Sequence, residues 1–248
     1  MKNKLEICTG SVEDCLVAYQ AGAEQVELNS ALSLGGLSPS VISLKKVKKD
    51  TDLIVNCMVR LRPGGFCYND LEFELMLDEA KMFLEHGADG IVFGFLLDSF
   101  EIDEKRTKQM VNLIHSYHKK AIFHRAFDLT NDAFRSMESL INCGIDRVLT
   151  SGLKANATEG KELLTKLQTV FGEKIEILAG CGLHKGNVAQ FIQDTNIHSI
   201  HSSCKGYGID LTTQHNDVSY AYLDDSCRYE KTNMEEVKQM IQICNSLK

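Results

Sequence analysis

The chain has 248 residues, 44% of them hydrophobic and 25% charged, with a formal net charge of −7. Length and composition suit one α/β domain over residues 1–248, and the acidic balance argues against the concentrated Lys/Arg face of a nucleic-acid binder. No stretch approaches membrane-spanning length, the opening Met1-Lys2-Asn3-Lys4-Leu5-Glu6-Ile7-Cys8 has too short an apolar run for a signal peptide, and nine scattered cysteines without a C-x-x-C read as reduced thiols, so a cytoplasmic protein is expected.

In chain order, short apolar runs alternate with helical periodicity. The first strand is expected at residues 5–7, with Glu6 inside it and Cys8 at its end. A helix stops at Gly22-Ala23-Glu24 and turns at once into a second strand, 25–28, which Glu27 and Asn29 close. Glycine accepts the left-handed conformation just past a helix end, and a short apolar run between turn residues suits a parallel strand buried on both faces. Ser38, with Pro39 at the first helical position, is the expected cap of the second helix. Its Lys45, Lys46, Lys48 and Lys49 fall among Val41, Ile42, Leu44 and Val47 and read as a solvated outer face. The third strand, 53–59, runs into Arg60 and Arg62. Asn69 and Glu72 predict a capping box before a helix whose Phe73, Met76, Leu77, Ala80, Phe83 and Leu84 share one face.

Gly87-Ala88-Asp89 and Gly144-Ile145-Asp146 repeat the glycine stop before strands at 90–93 and 147–149. Between them, the fifth strand, 121–123, ends in His124-Arg125 with Asp128 close behind. The sixth ends in Thr150-Ser151-Gly152. The seventh, 176–178, opens into Ala179-Gly180-Cys181-Gly182, and the eighth, 199–200, closes at His201-Ser202-Ser203. Met234, Val237, Ile241 and Cys244 mark a last helix. Eight alternations without a hairpin signal predict a single (β/α)₈ TIM barrel. A doubly wound open sheet is the alternative, and the lack of Gly-x-Gly-x-x-Gly after the first strand weighs against it.

Barrel sites lie at the carboxyl ends of the strands. If the chain is an enzyme, Glu6, Glu27, His124 and Asp128 are the expected catalytic groups, and Arg60, Arg62, Arg125, Thr150, Ser151, His201 and Ser202 the expected ligand-binding ones. An ionised carboxylate inside an apolar strand is costly unless paired, and Arg60, Arg62 and Arg125 are the natural partners of Glu6 and Glu27. The set reads equally as a structural ion-pair network or as a substrate constellation. His124 could be a general acid or base, a metal ligand or a polar cap. The glycines after the last strands could hold a phosphate or simply turn the chain. His115 and His118 read as surface residues, and no H-E-x-x-H demands zinc.

Leu5-Glu6-Ile7-Cys8, Gly35-Gly36-Leu37-Ser38-Pro39-Ser40, Phe66-Cys67-Tyr68-Asn69-Asp70, Phe123-His124-Arg125-Ala126-Phe127-Asp128 and Arg147-Val148-Leu149-Thr150-Ser151-Gly152 resemble signature segments of the CutC copper-homeostasis family. The resemblance runs from Leu5 to about Ser203. It implies a cytosolic barrel tied to copper tolerance or trafficking, a homo-oligomer, and Cu(I) as a bound ion with Cys8 as its metal ligand. Two departures stand out. The family's second strand commonly ends Glu-Leu-Cys, whose cysteine would complete a thiolate pair with Cys8; here the segment is Glu27-Leu28-Asn29, and an amide is no ligand for a soft ion. The family's Arg-Pro-Arg-Gly-Gly-Asp-Phe becomes Arg60-Leu61-Arg62-Pro63-Gly64-Gly65-Phe66, which keeps both arginines and loses the acid. Two functions follow: copper homeostasis through Cu(I), or a barrel enzyme of unassigned reaction on a small anionic ligand.

Overall fold

Three helices hand over to strands through glycines in the left-handed region, with φ of 96° at Gly22, 94° at Gly87 and 86° at Gly144. The computed structural model describes residues 3–224 and 227–247; Met1 and Lys2 of the opening segment lie outside them. Strands β1 (Lys4–Thr9), β2 (Gln25–Leu28), β3 (Ile54–Met58), β4 (Gly90–Phe93), β5 (Lys120–Phe123), β6 (Arg147–Thr150), β7 (Glu176–Ala179) and β8 (Ser199–Ser202) pair in parallel in sequence order, and β8 closes on β1. Helices α1 (Val12–Gln20), α2 (Val41–Asp50), α3 (Asp70–Glu85), α4 (Glu104–Ser116), α5 (Ala133–Cys143), α6 (Lys161–Phe171) and α7 (Val188–Thr195) alternate with them, and α8 (Met234–Ser246) ends the chain. The closed pairing makes this a TIM barrel and rules out the open sheet. No helix among the described residues is long and apolar enough to cross a membrane.

Alternation along each strand sorts its side chains between two layers. Outward residues such as Ile7, Val26, Val55, Ile91, Phe123 and Val148 join the helices' apolar faces in one core. The inward layer is mixed: Met58, Val92 and Ile122 pack together on one side. Glu6, Asn56, Arg147 and His201 occupy the other, and all four are buried. Asn69 caps α3 through the expected box, accepting from Glu72 N at 2.9 Å while Glu72 Oε2 accepts from Asn69 N at 2.9 Å. The expected Ser38 cap is displaced: Ser40 caps α2, accepting from Ser43 N at 3.0 Å. Pro39 precedes that cap, which leaves Ser38 Oγ free to accept from Arg60 N at 2.8 Å and tie this loop to the end of β3.

The sequence reading contains no strands between β8 and α8, yet an antiparallel arm stands there. In it β9 (Lys205–Ile209) pairs β12 (Arg228–Thr232), and β10 (Gln214–His215) pairs β11 (Val218–Ser219). Two of its strands are dipeptides, and Gly206 and Gly208 interrupt the third, so no period-2 apolar pattern forms. Asp14 Oδ1 anchors the arm by accepting from Thr232 N at 2.7 Å.

Gly94, just past β4, lets the His124 ring lie against the backbone; a Cβ there would come within 2.5 Å of Cε1 and 2.6 Å of Nδ1. Gly94→Ala should therefore displace the ring and cost about 1–3 kcal/mol, as overpacking does. Denaturant melts measure it, and an unchanged midpoint would contradict the close packing.

Candidate functional site

Glu6, 2% exposed, sits inside the barrel. Its Oε2 accepts from Asn56 Nδ2 at 2.6 Å, from Arg147 Nη1 at 3.2 Å and from Gln25 Nε2. Its Oε1 lies 2.9 Å from His201 Nδ1. Burial alone would raise this carboxyl, but the His201 hydrogen bond and charge, followed by the Arg147 charge, outweigh it and hold the pKa at about 2. Arg147 also reaches away from the mouth, where Nη2 donates to Glu176 at 3.0 and 3.1 Å. The partners expected for Glu6 are thus corrected: Arg147 and His201 take that place, and Arg60, Arg62 and Arg125 do not. Those three follow strand ends, whereas Glu6 lies within β1, in register with His201 on β8.

Nearer the mouth, Cys8 is in register with Glu27. Glu27 Oε1 accepts from Asn29 Nδ2 at 2.8 Å and lies 3.8 Å from Cys8 Sγ and 4.0 Å from His201 Nε2. Burial disfavours a charge on His201, yet the charge of Glu27 and the hydrogen bonds to Cys8 and Glu6 raise its pKa well above 6.5. Burial, reinforced by the Glu6 charge, raises the Glu27 carboxyl against the pull of His201. Burial also raises the Cys8 thiol. The floor of the mouth is therefore an imidazolium beside a carboxyl of raised pKa and a thiol.

On the wall, His124 Nδ1 accepts from Ala126 N at 3.1 Å, so the neutral ring carries its proton on Nε2, which has no partner. Burial, and then the nearby Arg60 charge, push this histidine down to about 3. Phe66 lies between the two, its ring centroid 4.7 Å from that of His124 and 5.2 Å from the Arg60 guanidinium carbon. Arg60 is buried and donates to the carbonyls of Leu34, Gly36 and Gly64, each at 2.9 Å. Among the described residues it has no carboxylate partner.

The other predicted site residues are hydrogen-bonded to nearby loops, and Arg125 and Ser202 also lie at the mouth. Arg62 pairs with Glu72 and donates to the carbonyls of Gly65 and Cys67. Arg125 donates to Asp128 Oδ2 at 2.7 Å and to Ser151 Oγ at 2.8 Å. Asp128 Oδ1 accepts from Thr150 Oγ1 at 2.6 Å and from the Ser151 and Leu153 amides at 3.0 and 3.2 Å, bracing the turn after β6. Ser202 Oγ donates to Leu183 O at 2.7 Å. Arg60 and Arg125 line one cavity at the mouth, whereas Arg62 does not. Arg147 is the residue that sequence reasoning missed, although its signal was present: a charged residue opening an apolar strand, the same anomaly that singled out Glu6.

A cavity of about 560 Å³ opens at this end, lined by Cys8, Glu27, Met58, Arg60, Phe66 and His124 among others, a volume suited to a small molecule. Lys205 and Glu230 of the arm and Met240 of α8 complete its wall. A second cavity of about 410 Å³, at the opposite face, borders Arg147 and α8. Four buried polar atoms without a partner belong to residues lining the mouth: Glu27 Oε2, Asn29 Oδ1, Arg60 Nε and His124 Nε2. Asn29 Oδ1 faces the Gly36 turn, where an added Cβ would come within 2.6 Å of it.

The sequence profile of the CutC family matches residues 3–206. A CutC family protein of Treponema denticola is 46% identical over 202 residues, 81% of each chain. The chain belongs to the CutC family. A CutC family protein of Vibrio vulnificus is 38% identical over 205 residues, 83% of this chain and 82% of the relative. The crystal structure of a CutC protein from Streptococcus agalactiae, named for a suggested role in copper homeostasis, superposes with a TM-score of 0.76 at 27% identity, over 81% of this chain and 98% of that one. Phosphoribosylanthranilate isomerase of Thermotoga maritima shares the fold alone, with a TM-score of 0.57 at 13% identity. The CutC match ends within β9, so the remainder of the arm and α8, with the mouth residues they supply, lie beyond it.

Removing the guanidinium should expose the cost of the buried network. Arg147→Met leaves Glu6 and Glu176 short of their cation and should cost roughly 3–5 kcal/mol in urea denaturation; a loss under about 1 kcal/mol would mean the pair is not holding the barrel interior.

Acid should act on His124 and Glu6 among other groups. The unfolded chain protonates His124 at its ordinary 6.5 but the folded one only at about 3, so stability falls as pH drops across that window. Glu6 contributes fully above its ordinary 4.5 and loses that contribution as pH falls towards about 2. His124→Gln should flatten the upper part of the stability–pH curve and leave the lower part; an unchanged upper limb would contradict the assignment.

Proposed function

We propose that the mouth binds a small anionic ligand and moves a proton on it, with Glu27 as acid or base and with His201, the His124 N–H and Arg60 stabilising negative charge. The observation that carries this reading is the pair of unpartnered buried atoms, Glu27 Oε2 and His124 Nε2, on one cavity beside an arginine without a carboxylate. Such an atom costs about 1–3 kcal/mol when left unsatisfied. A ligand that gives Glu27 a donor and His124 an acceptor recovers that energy. A carboxyl raised by burial is suited to proton transfer near neutral pH, and the Glu27 charge with the hydrogen bonds to Cys8 and Glu6 favours the neighbouring imidazole as a cation. The free thiols among the described residues agree with a cytosolic setting. We expect a homo-oligomer, for which the exposed Tyr207, Ile209, Leu211 and Tyr220 of the arm offer apolar surface.

A second reading keeps the copper link in the family's name. Cys8 Sγ, a Glu27 oxygen and a His201 nitrogen all lie within 4.8 Å of one another. One sulfur, one nitrogen and one oxygen do not fit Cu(I), which favours thiolates and thioethers. The imidazole would also have to give up the proton that its carboxylate neighbours stabilise. Asn29 Nδ2 lies 3.7 Å from Cys8 Sγ, so a cysteine at position 29 would supply the missing sulfur.

Both readings can be measured. Thermal melts with malonate, glycolate, pyruvate, hydroxypyruvate and inorganic phosphate should raise the wild-type midpoint by about 2 °C or more for at least one anion. Glu27→Gln and His124→Gln should abolish the rise; a flat response of the wild type to every anion would contradict the ligand reading. In competition with a Cu(I) chelator, Asn29→Cys should bind roughly tenfold or more tightly than wild type and Cys8→Ser should bind least. Equal affinities across the three proteins would place copper away from the mouth.

A further inference from the structure

Resting on the acid–base reading of the mouth, we propose that the substrate is a small carbonyl compound carrying a hydrogen on the adjacent carbon, and that the reaction is its enolisation. The geometry supplies one acceptor and one donor with nothing yet to bind, Glu27 Oε2 and His124 Nε2–H, on side chains lining a single cavity. They come from β2 and from the end of β5, separate strands of the barrel, so a ligand between them can meet the two at different atoms. An enolisation asks for that division: a base at carbon and a donor at oxygen.

The step balances without a co-reactant. Glu27 takes the proton as the Cα–H bond breaks, and that electron pair forms the carbon–carbon double bond. The carbonyl π pair moves onto oxygen, where the His124 N–H and the charge of Arg60 meet it. Return of the proton to the same carbon restores the substrate. Where the adjacent carbon bears a hydroxyl, return to the former carbonyl carbon, with proton transfer between the two oxygens, moves the carbonyl by one position.

Other features favour this class over alternatives. A neutral imidazole N–H can hydrogen-bond an enolate oxygen without surrendering its proton, and the Nδ1 bond to Ala126 N fixes the required tautomer. Phe66, Met58 and Leu149 give the cavity apolar surface that shields the developing charge from water. Schiff-base chemistry would need an unpaired buried lysine. The lysine lining this cavity, Lys205, is partly exposed and bound to Glu230.

The test is hydrogen exchange in D₂O, followed by proton NMR, with pyruvate, hydroxypyruvate and dihydroxyacetone as probes. Binding is read separately by thermal shift with the same three compounds and with glycolohydroxamate, a planar mimic of the enediolate. Wild type should wash out the α-proton of at least one probe roughly 100-fold faster than buffer, and Glu27→Gln should return the rate to background. His124→Gln should slow exchange about tenfold or more, and Glu27→Asp, which keeps the carboxyl but withdraws it, should fall between wild type and Glu27→Gln. Circular dichroism confirms that each variant is folded; should Glu27→Gln fail to fold, the Glu27→Asp and His124→Gln rates decide. Binding of any of these compounds without exchange would overturn the enolisation and leave the ligand-binding reading standing. Exchange that survives both substitutions at full rate would overturn it as well. Neither binding nor exchange, with no response to the other anions, would overturn both.

Discussion

The barrel interior is organised around one buried carboxylate. Glu6 cannot be charged when buried without cations, and it draws Arg147 from β6 and His201 from β8 to the same point. Arg147 balances Glu6 and Glu176 together, and His201 is favoured in its charged form by the Glu27 charge and by its bonds to Cys8 and to the Glu6 oxygen that holds its Nδ1. The imidazole is then committed to present its other nitrogen towards Glu27 and Cys8. The chemistry of the mouth thus follows from how the barrel solves a desolvation problem beneath it.

The two histidines at this end show how environment divides one residue type into two roles. His201 lies among carboxylates and is pushed up; His124 lies against Phe66 within reach of the Arg60 charge and is pushed down. A cationic imidazole stabilises negative charge, and a neutral one donates a directed hydrogen bond. The fold keeps them apart by placing one within β8 and the other past the end of β5.

Much of this architecture was legible in the residues. The glycine stops at Gly22, Gly87 and Gly144 gave the repeating unit because left-handed backbone and buried strands are local, physically cheap signals. The polar residues at strand ends marked the face where the larger cavity, lined by Cys8, Glu27 and His124 among others, opens, because parallel strands in a barrel all end on one side. Pairing was less legible: Arg147 opens its strand and Arg60 follows one, but that Arg147 is the one to meet Glu6 depends on how β6 faces β1 across the barrel. The same holds for Asp128, Thr150 and Ser151, whose mutual hydrogen bonds depend on two loops meeting in space. The arm after β8 escaped for a different reason, since its short strands and glycines carry no apolar period and the partners β9 and β12 are distant in the chain.

Opposite protonation of these histidines underlies the chemistry of the mouth, and nitrogen NMR of ¹⁵N-histidine-labelled protein near neutral pH reads it directly. The result expected is an imidazolium at His201, with both nitrogens protonated, and a neutral ring at His124 with its proton on Nε2. A neutral His201, or a His124 that is charged or carries its proton on Nδ1, would contradict it.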